Sequence, residues 1–345
     1  MFKFSKAIEN EYFFVNLYHL NLNFSLRMAT TTLNTPWVES PFFEQEIEQA
    51  GYDSATEELI RRYAEDGYVV FDPQIDGSVI DAVVNGLKPK FEAEHTNRIQ
   101  DAWEYNDAVK QIAAAPRVLE VLKLLYRREP IPFQTLNFST GSQQRTHSDS
   151  IHFNSIPERF MCGVWVALED VHNGNGPLHY YPKSHKLPFY DLSILGLKGS
   201  TSKSIEEMLT KYYTRYEDFI AELVENKKLD KKVLNIKKGQ ALIWSANLLH
   251  GGEPISHAGS TRFTQVNHFY FEGCAYYRPM LTDMAIERIS IQKVVNIATG
   301  KEVKSQYLEK DIDHIGYSYK VYLPAGLMRS LVPSGVRQWV KKLRG

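Results

Sequence analysis

The stretch Gly239-Gln240-Ala241-Leu242-Ile243-Trp244-Ser245-Ala246-Asn247-Leu248-Leu249-His250-Gly251-Gly252 decides how this chain is read. Gly239 supplies a turn, and Gln240 to Ser245 is a short apolar run suited to a buried strand. A histidine then stands before two glycines, whose small size lets a ligand approach the backbone. Upstream by 103 residues (250 − 147), His147-Ser148-Asp149 offers a second imidazole and a carboxylate. On a strand, side chains alternate, so His147 and Asp149 fall on one side, where a single metal can touch both. With His250 arriving from another strand, the set becomes the facial triad that holds non-haem Fe(II) and leaves positions open for oxygen chemistry. Two histidines and a carboxylate also suit zinc.

The residues around these two motifs read as strands. Phe133 to Phe138, Phe160 to Leu168, Pro177 to Tyr181, Val233 to Ile236 and Arg262 to Phe271 are short, rich in β-branched or aromatic residues, and bounded by Gly, Asn or Pro. Asn173-Gly174 and Asn175-Gly176 mark a tight connection. One helical pattern interrupts them between Ile205 and Asn226. The N-terminal part is helical instead. Ser54-Ala55-Thr56-Glu57 is a capping-box pattern, with Leu59, Ile60 and Tyr63 at helical spacing and Gly67 as the stop. Tyr68 to Phe71 follows as a strand, Asp76 caps a second helix, and two more helices are expected between Asn106 and Arg128, the second opened by Pro116. Helices first and many short strands afterwards indicate an α+β chain whose strands close as a barrel or sandwich.

Composition narrows the function. The chain has 345 residues, 43% hydrophobic and 23% charged, enough for one large catalytic domain. A net charge of −1, with no basic groove, P-loop or dinucleotide fingerprint, argues against nucleic acids and nucleotide cofactors. No run of about 18 apolar residues is present to span a membrane. Two cysteines, Cys162 and Cys274, fit a reducing cytoplasm. Three regions are expected: an N-terminal extension over 1–40, disordered or arising from a start upstream of Met28; a catalytic domain over 41–325, with an insertion at 186–232 serving as lid or wall; and a basic C-terminal helix over 326–345.

Arg262 follows His250 by 12 residues and opens the next strand, where a guanidinium can clamp a carboxylate. Iron together with a carboxylate-bearing co-substrate implies 2-oxoglutarate. The ordered motifs resemble the phytanoyl-CoA dioxygenase family of Fe(II)/2-oxoglutarate oxygenases. They run from Glu58 to Val70, through Thr146-His147-Ser148-Asp149 and Gly176-Pro177-Leu178-His179-Tyr180-Tyr181-Pro182-Lys183-Ser184-His185, to Leu249-His250-Gly251-Gly252 and Arg262. The resemblance implies a double-stranded β-helix, the cupin-like jelly roll. It assigns iron to His147, Asp149 and His250, and the distal carboxylate of 2-oxoglutarate to Arg262. Gly252 stands where the family often has Ser or Thr beside that carboxylate. Halogenating relatives replace the carboxylate ligand with a small residue. Asp149 therefore implies hydroxylation or a related oxidation of a small or carrier-linked molecule, using O2.

Gln134, Asn137 and Thr146 are further candidates for the co-substrate site, and His152, Asn154, Arg159 and Trp165 for substrate. Trp165 also reads as core, Arg159 as a loop ion pair, and Trp244 as packing. His257 and His268 rank below His250 as third ligand. Two other readings stay open: a jelly-roll binding protein without turnover, and a redox-silent Zn or Mn enzyme that would leave Arg262 without a carboxylate to bind.

Overall fold

Local signals start and stop the helical layer of this protein, whose computed structural model describes residues 33–197, 208–284 and 289–312. Helix α1 spans Phe43–Ala50 and α2 Ser54–Asp66. The cap of α2 is Asp53 rather than Ser54: its carboxylate accepts from the Ala55 and Thr56 amides, both at 3.0 Å. Gly67 ends α2 and strand β1, Tyr68–Phe71, follows. Asp76 caps α3, Gly77–Ala93, which leads to strand β2, Arg98–Gln100. Asn106 caps α4, Asp107–Ala113, and Pro116 opens α5, Pro116–Tyr126, as its spacing predicts.

The strands then arrive in order: β3 (Pro130–Phe138), β4 (Asn154–Ile156), β5 (Met161–Ala167) and β6 (Leu178–Tyr180). Helix α6 (Tyr213–Lys227) intervenes before β7 (Lys232–Val233), β8 (Ala241–Ser245), β9 (His250–Gly252), β10 (Thr264–Phe271) and β11 (Ala275–Tyr277). The helix expected over 205–226 therefore begins later among the described residues. A π-type turn over Met208–Tyr212 leads into it, and residues 198–207 lie outside them. Among the described residues, four three-residue strands from Val294 onward pair as two short hairpins.

The strands form two facing sheets. The larger has the order β1-β8-β5-β10-β3-β2, with antiparallel neighbours throughout. The smaller has the order β7-β6-β9, and His147 extends it by bridging to His250. This is the jelly roll. Leu136, Phe138, Trp165, Ala167, Leu242, Trp244 and Val266 of the larger sheet pack inside it against Leu178 and Tyr180 of the smaller one. Alternate residues of the same strands, such as Val164, Val166, Ala241 and Ile243, face outward onto the helices. The two faces explain why β5 and β8 read as unbroken apolar runs.

Trp37 and Val38 are buried, and Trp37 Nε1 donates to the Leu124 carbonyl at 3.1 Å. Packing therefore begins before residue 40, inside the expected extension. The basic segment 326–345 and Met28 lie outside the described residues. No described helix is long and apolar enough to cross a membrane.

Candidate metal centre

The H-x-D motif occupies a shorter extended piece than a strand. His147 makes one β-bridge to His250, Ser148 is still extended, and Asp149 opens a 3-10 turn running to Ile151. That is enough for the alternation: His147 and Asp149 share a side. One donor atom from each of His147, Asp149 and His250 lies within 4.8 Å of the others, and all three side chains are buried. Asp149 Oδ1 is 3.6 Å from His147 Nε2 and 3.8 Å from His250 Nε2.

The surroundings aim these atoms at one point. His147 Nδ1 donates to the Arg145 carbonyl at 2.8 Å, and His250 Nδ1 to the Leu248 carbonyl at 3.0 Å. Each ring thus keeps an Nε2 lone pair facing inward. Trp244 Nε1 donates to Asp149 Oδ2 at 2.8 Å and leaves Oδ1 for a metal. Trp244, read from sequence as packing, therefore also orients a ligand. It can do so because β5 has Gly163 opposite it: a Cβ there would sit 2.3 Å from the indole Cε2. Burial holds the His250 imidazole down at about 4, so it is neutral near pH 7. Burial pushes the Asp149 carboxyl up, but His250, His147 and His268 outweigh it and hold the group well below the usual range. A neutral imidazole and an ionised carboxylate are the forms that bind a divalent metal. The donor set fits iron as well as zinc.

Arg262 is 1% exposed and has no carboxylate within ion-pair distance among the described residues. Its Nη1 donates to the Gly176 carbonyl at 2.7 Å, while its buried Nε–H finds no acceptor. The guanidinium lies 5.7 Å from the Trp165 ring centroid and 5.9 Å from that of Phe138, both rings of the barrel interior. The buried indole N–H of Trp165 also lacks a partner. Burial lowers the Arg262 pKa to about 10. A buried cation and a buried N–H, both short of acceptors inside the barrel, are the counterpart of a carboxylate ligand.

The other candidates divide by strand face. Gln134 shares the inner face with Leu136 and Phe138, and its Oε1 accepts from His268 Nδ1 at 2.9 Å. His268 Nε2 is 3.6 Å from Asp149 Oδ2, so His268 sits beside the ligand cluster without joining it. Asn137 points outward: its amide donates to Gln265, which donates to the Val109 carbonyl of α4. It cannot reach a ligand inside the barrel. Thr146 alternates with His147 and turns away to His179, 2.8 Å from its Nε2. Gly252 offers no side chain, and a Cβ there would lie 2.8 Å from the Gln143 nitrogen and 2.9 Å from Ser142 Oγ. The chain segment at 142–143 fills the place of the Ser or Thr expected from the resemblance.

His152 is recessed beside the cluster, its ring 6.0 Å from His147 and 4.9 Å from Tyr213, and burial lowers its pKa to about 3. Asn154 is structural: its Oδ1 accepts from the Ser155 amide at 2.8 Å in β4, which pairs with β11. Arg159 is a loop staple, bonded to Glu39 and to the carbonyls of His185 and Leu187. Neither faces the cluster. Sequence reading missed Gln144, Tyr213 and Tyr216, which bind the ligand segment, and Arg98. Arg98 is the register partner of Phe138, with its guanidinium 5.9 Å from that ring and no acid within ion-pair distance among the described residues. The inner-face pairing of β2 with β3 would have been the signal.

A jelly roll with two histidines, one carboxylate and an unpaired inner arginine defines a class of metal-dependent proteins. Residues 63–263, more than half the chain, match phytanoyl-CoA dioxygenase (PhyH), and the chain belongs to that family. It is 31% identical over 85 residues to phytanoyl-CoA dioxygenase domain-containing protein 1 of Danio rerio, covering 24% of this chain and 29% of that relative's length. Among solved structures it is similar to the non-heme α-ketoglutarate-dependent epimerase SnoN from nogalamycin biosynthesis. There the TM-score is 0.50 at 18% identity, over 68% of this chain and 90% of that one. The corresponding carbocyclase SnoK gives a TM-score of 0.51 at 15% identity, over 72% of this chain and 93% of that one. Likeness at this level of identity establishes the jelly-roll fold.

Proposed function

We propose that this protein is an Fe(II)- and 2-oxoglutarate-dependent oxygenase that hydroxylates an aliphatic carbon of a small or carrier-linked organic molecule, releasing succinate and CO2. The observation that carries this reading is Arg262, a cation buried inside the barrel with no acid within ion-pair distance among the described residues, Glu169 acting on its charge only from farther off. A redox-silent zinc or manganese enzyme, or a barrel without turnover, gives that charge no counterpart.

His147, Asp149 and His250 would hold the iron, which when bound supplies the activation of O2 coupled to oxidative decarboxylation of 2-oxoglutarate. The protein's own contribution is positional. Arg262 and Trp165 fix the far carboxylate of 2-oxoglutarate by charge and an N–H. Trp244 and the two backbone carbonyls hold the ligand atoms in place. Apolar walls from Leu136, Val266 and Leu242 exclude water from the interior. Asp149 excludes the halogenating variant of the chemistry. We place the protein in the cytoplasm, on the grounds that Cys162 and Cys274 are both free and buried.

The test is anaerobic. Fe(II) and 2-oxoglutarate added to the metal-free protein should give a weak visible charge-transfer band, absent in His147→Ala. With a candidate substrate and O2, a product one oxygen atom heavier supports hydroxylation. A product of unchanged mass, or one short of two hydrogens, would replace hydroxylation with epimerisation or with ring closure or desaturation. Metal binding without the band would refute the assignment of 2-oxoglutarate.

A further inference from the structure

His147 directs both of its backbone groups at one neighbour. Its amide donates to the His250 carbonyl and its carbonyl accepts from the His250 amide, each at 2.9 Å. In extended chain the next residue turns its amide to the opposite side. The Ser148 amide therefore points off the edge of the smaller sheet, where no described strand continues it. Ser148 is buried, and a buried amide without an acceptor costs about as much as a lost hydrogen bond. One atom of the insertion stands in for the missing strand: Tyr216 Oη, on α6, accepts from the Ser148 amide at 3.2 Å.

Tyr216 is itself held firmly. With Ile220 of the same helix it belongs to a buried apolar cluster that includes Ile151, two residues after Asp149, and Leu249, which precedes His250. The insertion thus shares a core with both ligand segments. The pairs of Arg145 with Asp218 and Glu217 face solvent and add little. On its other side Ser148 is fixed by the barrel, since its Oγ donates to the Ala246 carbonyl at 3.0 Å. Ser148 is gripped from two directions at φ −113° and ψ 137°, the extended values that set His147 and Asp149 on one side.

We infer that Tyr216 is a positioning residue of the metal centre: its phenol oxygen holds the peptide between the two ligands of the H-x-D motif, so that the insertion helix sets how His147 and Asp149 stand to one another. This rests on the metal reading above and needs nothing of the co-substrate or substrate. His147 has its own supports in His250 and the Arg145 carbonyl, and Asp149 has Trp244. The turn of chain between them is what Tyr216 governs. The insertion is then a foundation of the site rather than a lid over it.

The test adds Mn(II) to the full chain and follows its electron paramagnetic resonance. Loss of the free-ion signal gives the affinity, and the shape of the bound signal reports the ligand arrangement. Tyr216→Phe keeps the ring in its cluster and removes the acceptor. It should bind Mn(II) about tenfold more weakly, with a changed bound signal. Ile220→Ala thins the same cluster without touching Ser148. It should lower the melting temperature at least as much, yet leave the affinity within about twofold and the signal unchanged. Affinity that falls in step with melting temperature in both variants would overturn the inference, because loss of packing alone does that. So would unchanged affinity in Tyr216→Phe. Hydrogen exchange on the parent needs no variant: the Ser148 amide should be protected and slowed further by Mn(II), and a freely exchanging amide would also overturn it. A parent protein that takes up no Mn(II) while its Ser148 amide is protected would bring down the metal reading instead, which separates the two failures.

Discussion

Replacing Arg262 with methionine should leave the ligand-free protein close to its parent stability while abolishing its response to 2-oxoglutarate. Burial lowers the guanidinium from its ordinary value to about 10, which corresponds to about 3 kcal/mol against the charged form in the folded state. The sign is that of a cation whose folded pKa is depressed. The cost is present in full below about 10, hence throughout pH 6–9, and would be relieved only as pH rises above about 10. Methionine removes that cost. Against it stands the Gly176 carbonyl, which loses a charge-assisted hydrogen bond of about 1–3 kcal/mol, and an imperfectly filled site. The terms nearly cancel, so the melting temperature without ligand should move by only about 2–4 °C. With Mn(II) present, 2-oxoglutarate at about 100 times its Kd should stabilise the parent by about 2.7 kcal/mol and the variant by nothing. Thermal melts with and without 2-oxoglutarate measure both. A variant destabilised by more than about 3 kcal/mol that still responds to 2-oxoglutarate would refute the reasoning and make Arg262 a structural residue.

Three more outcomes are expected. Trp244→Phe keeps an aromatic side chain but loses the five-membered ring and its N–H to Asp149 Oδ2, so metal affinity should drop about 10–100-fold beside a modest loss of stability; equal affinity by Mn(II) titration would remove Trp244 from the site. Gly163→Ala sets a methyl 2.3 Å from the same indole and should add about 1–3 kcal/mol of destabilisation to that loss of affinity, read by urea melts; a neutral effect would mean Trp244 is free to move. Burial lowers His185 to about 4 from an ordinary 6.5, so the unfolded chain takes up a proton there that the folded one refuses. Stability contributed by neutral His185 should therefore be lost as pH falls from about 6.5 to about 4, by about 3 kcal/mol at most, and His185→Gln should flatten that part of the metal-free pH profile.

The iron-ligand candidates were legible because each motif is local and periodic. An H-x-D on extended chain and a histidine ending an apolar run need only the alternation of side chains to be brought together. The cap at Asp76 and the helix start at Pro116 were legible for the same reason. What could not be read was the face that each remaining strand residue presents. Asn137 and Gln134 are three residues apart on β3, and alternation alone puts them on opposite faces; nothing in the composition says which face is the interior. The answer lies in partners distant in sequence: Val109 on α4 for the outward group and His268 on β10 for the inward one. Gln144 and Tyr213 escaped notice because they meet only through the insertion, 69 residues apart.

A half-buried and a buried arginine, Arg159 and Arg262, sharpen the argument for the co-substrate. Arg159 is held by Glu39 and two carbonyls, so the fold alone accounts for it. Glu39 in turn is pushed up by burial and held back by Arg159, as expected of an ion pair formed away from water. Arg262 is more deeply buried yet has one carbonyl, two aromatic rings and no acid within ion-pair distance among the described residues, Glu169 acting on its charge only from farther off. A fold that needed Arg262 for stability would have given it the partner it gave Arg159, since a lone buried charge opposes folding. The same barrel therefore holds one cation as a loop staple and, on the reading proposed above, keeps the other for a ligand that brings a carboxylate to the inside of the sheet that also faces the two histidines and Asp149.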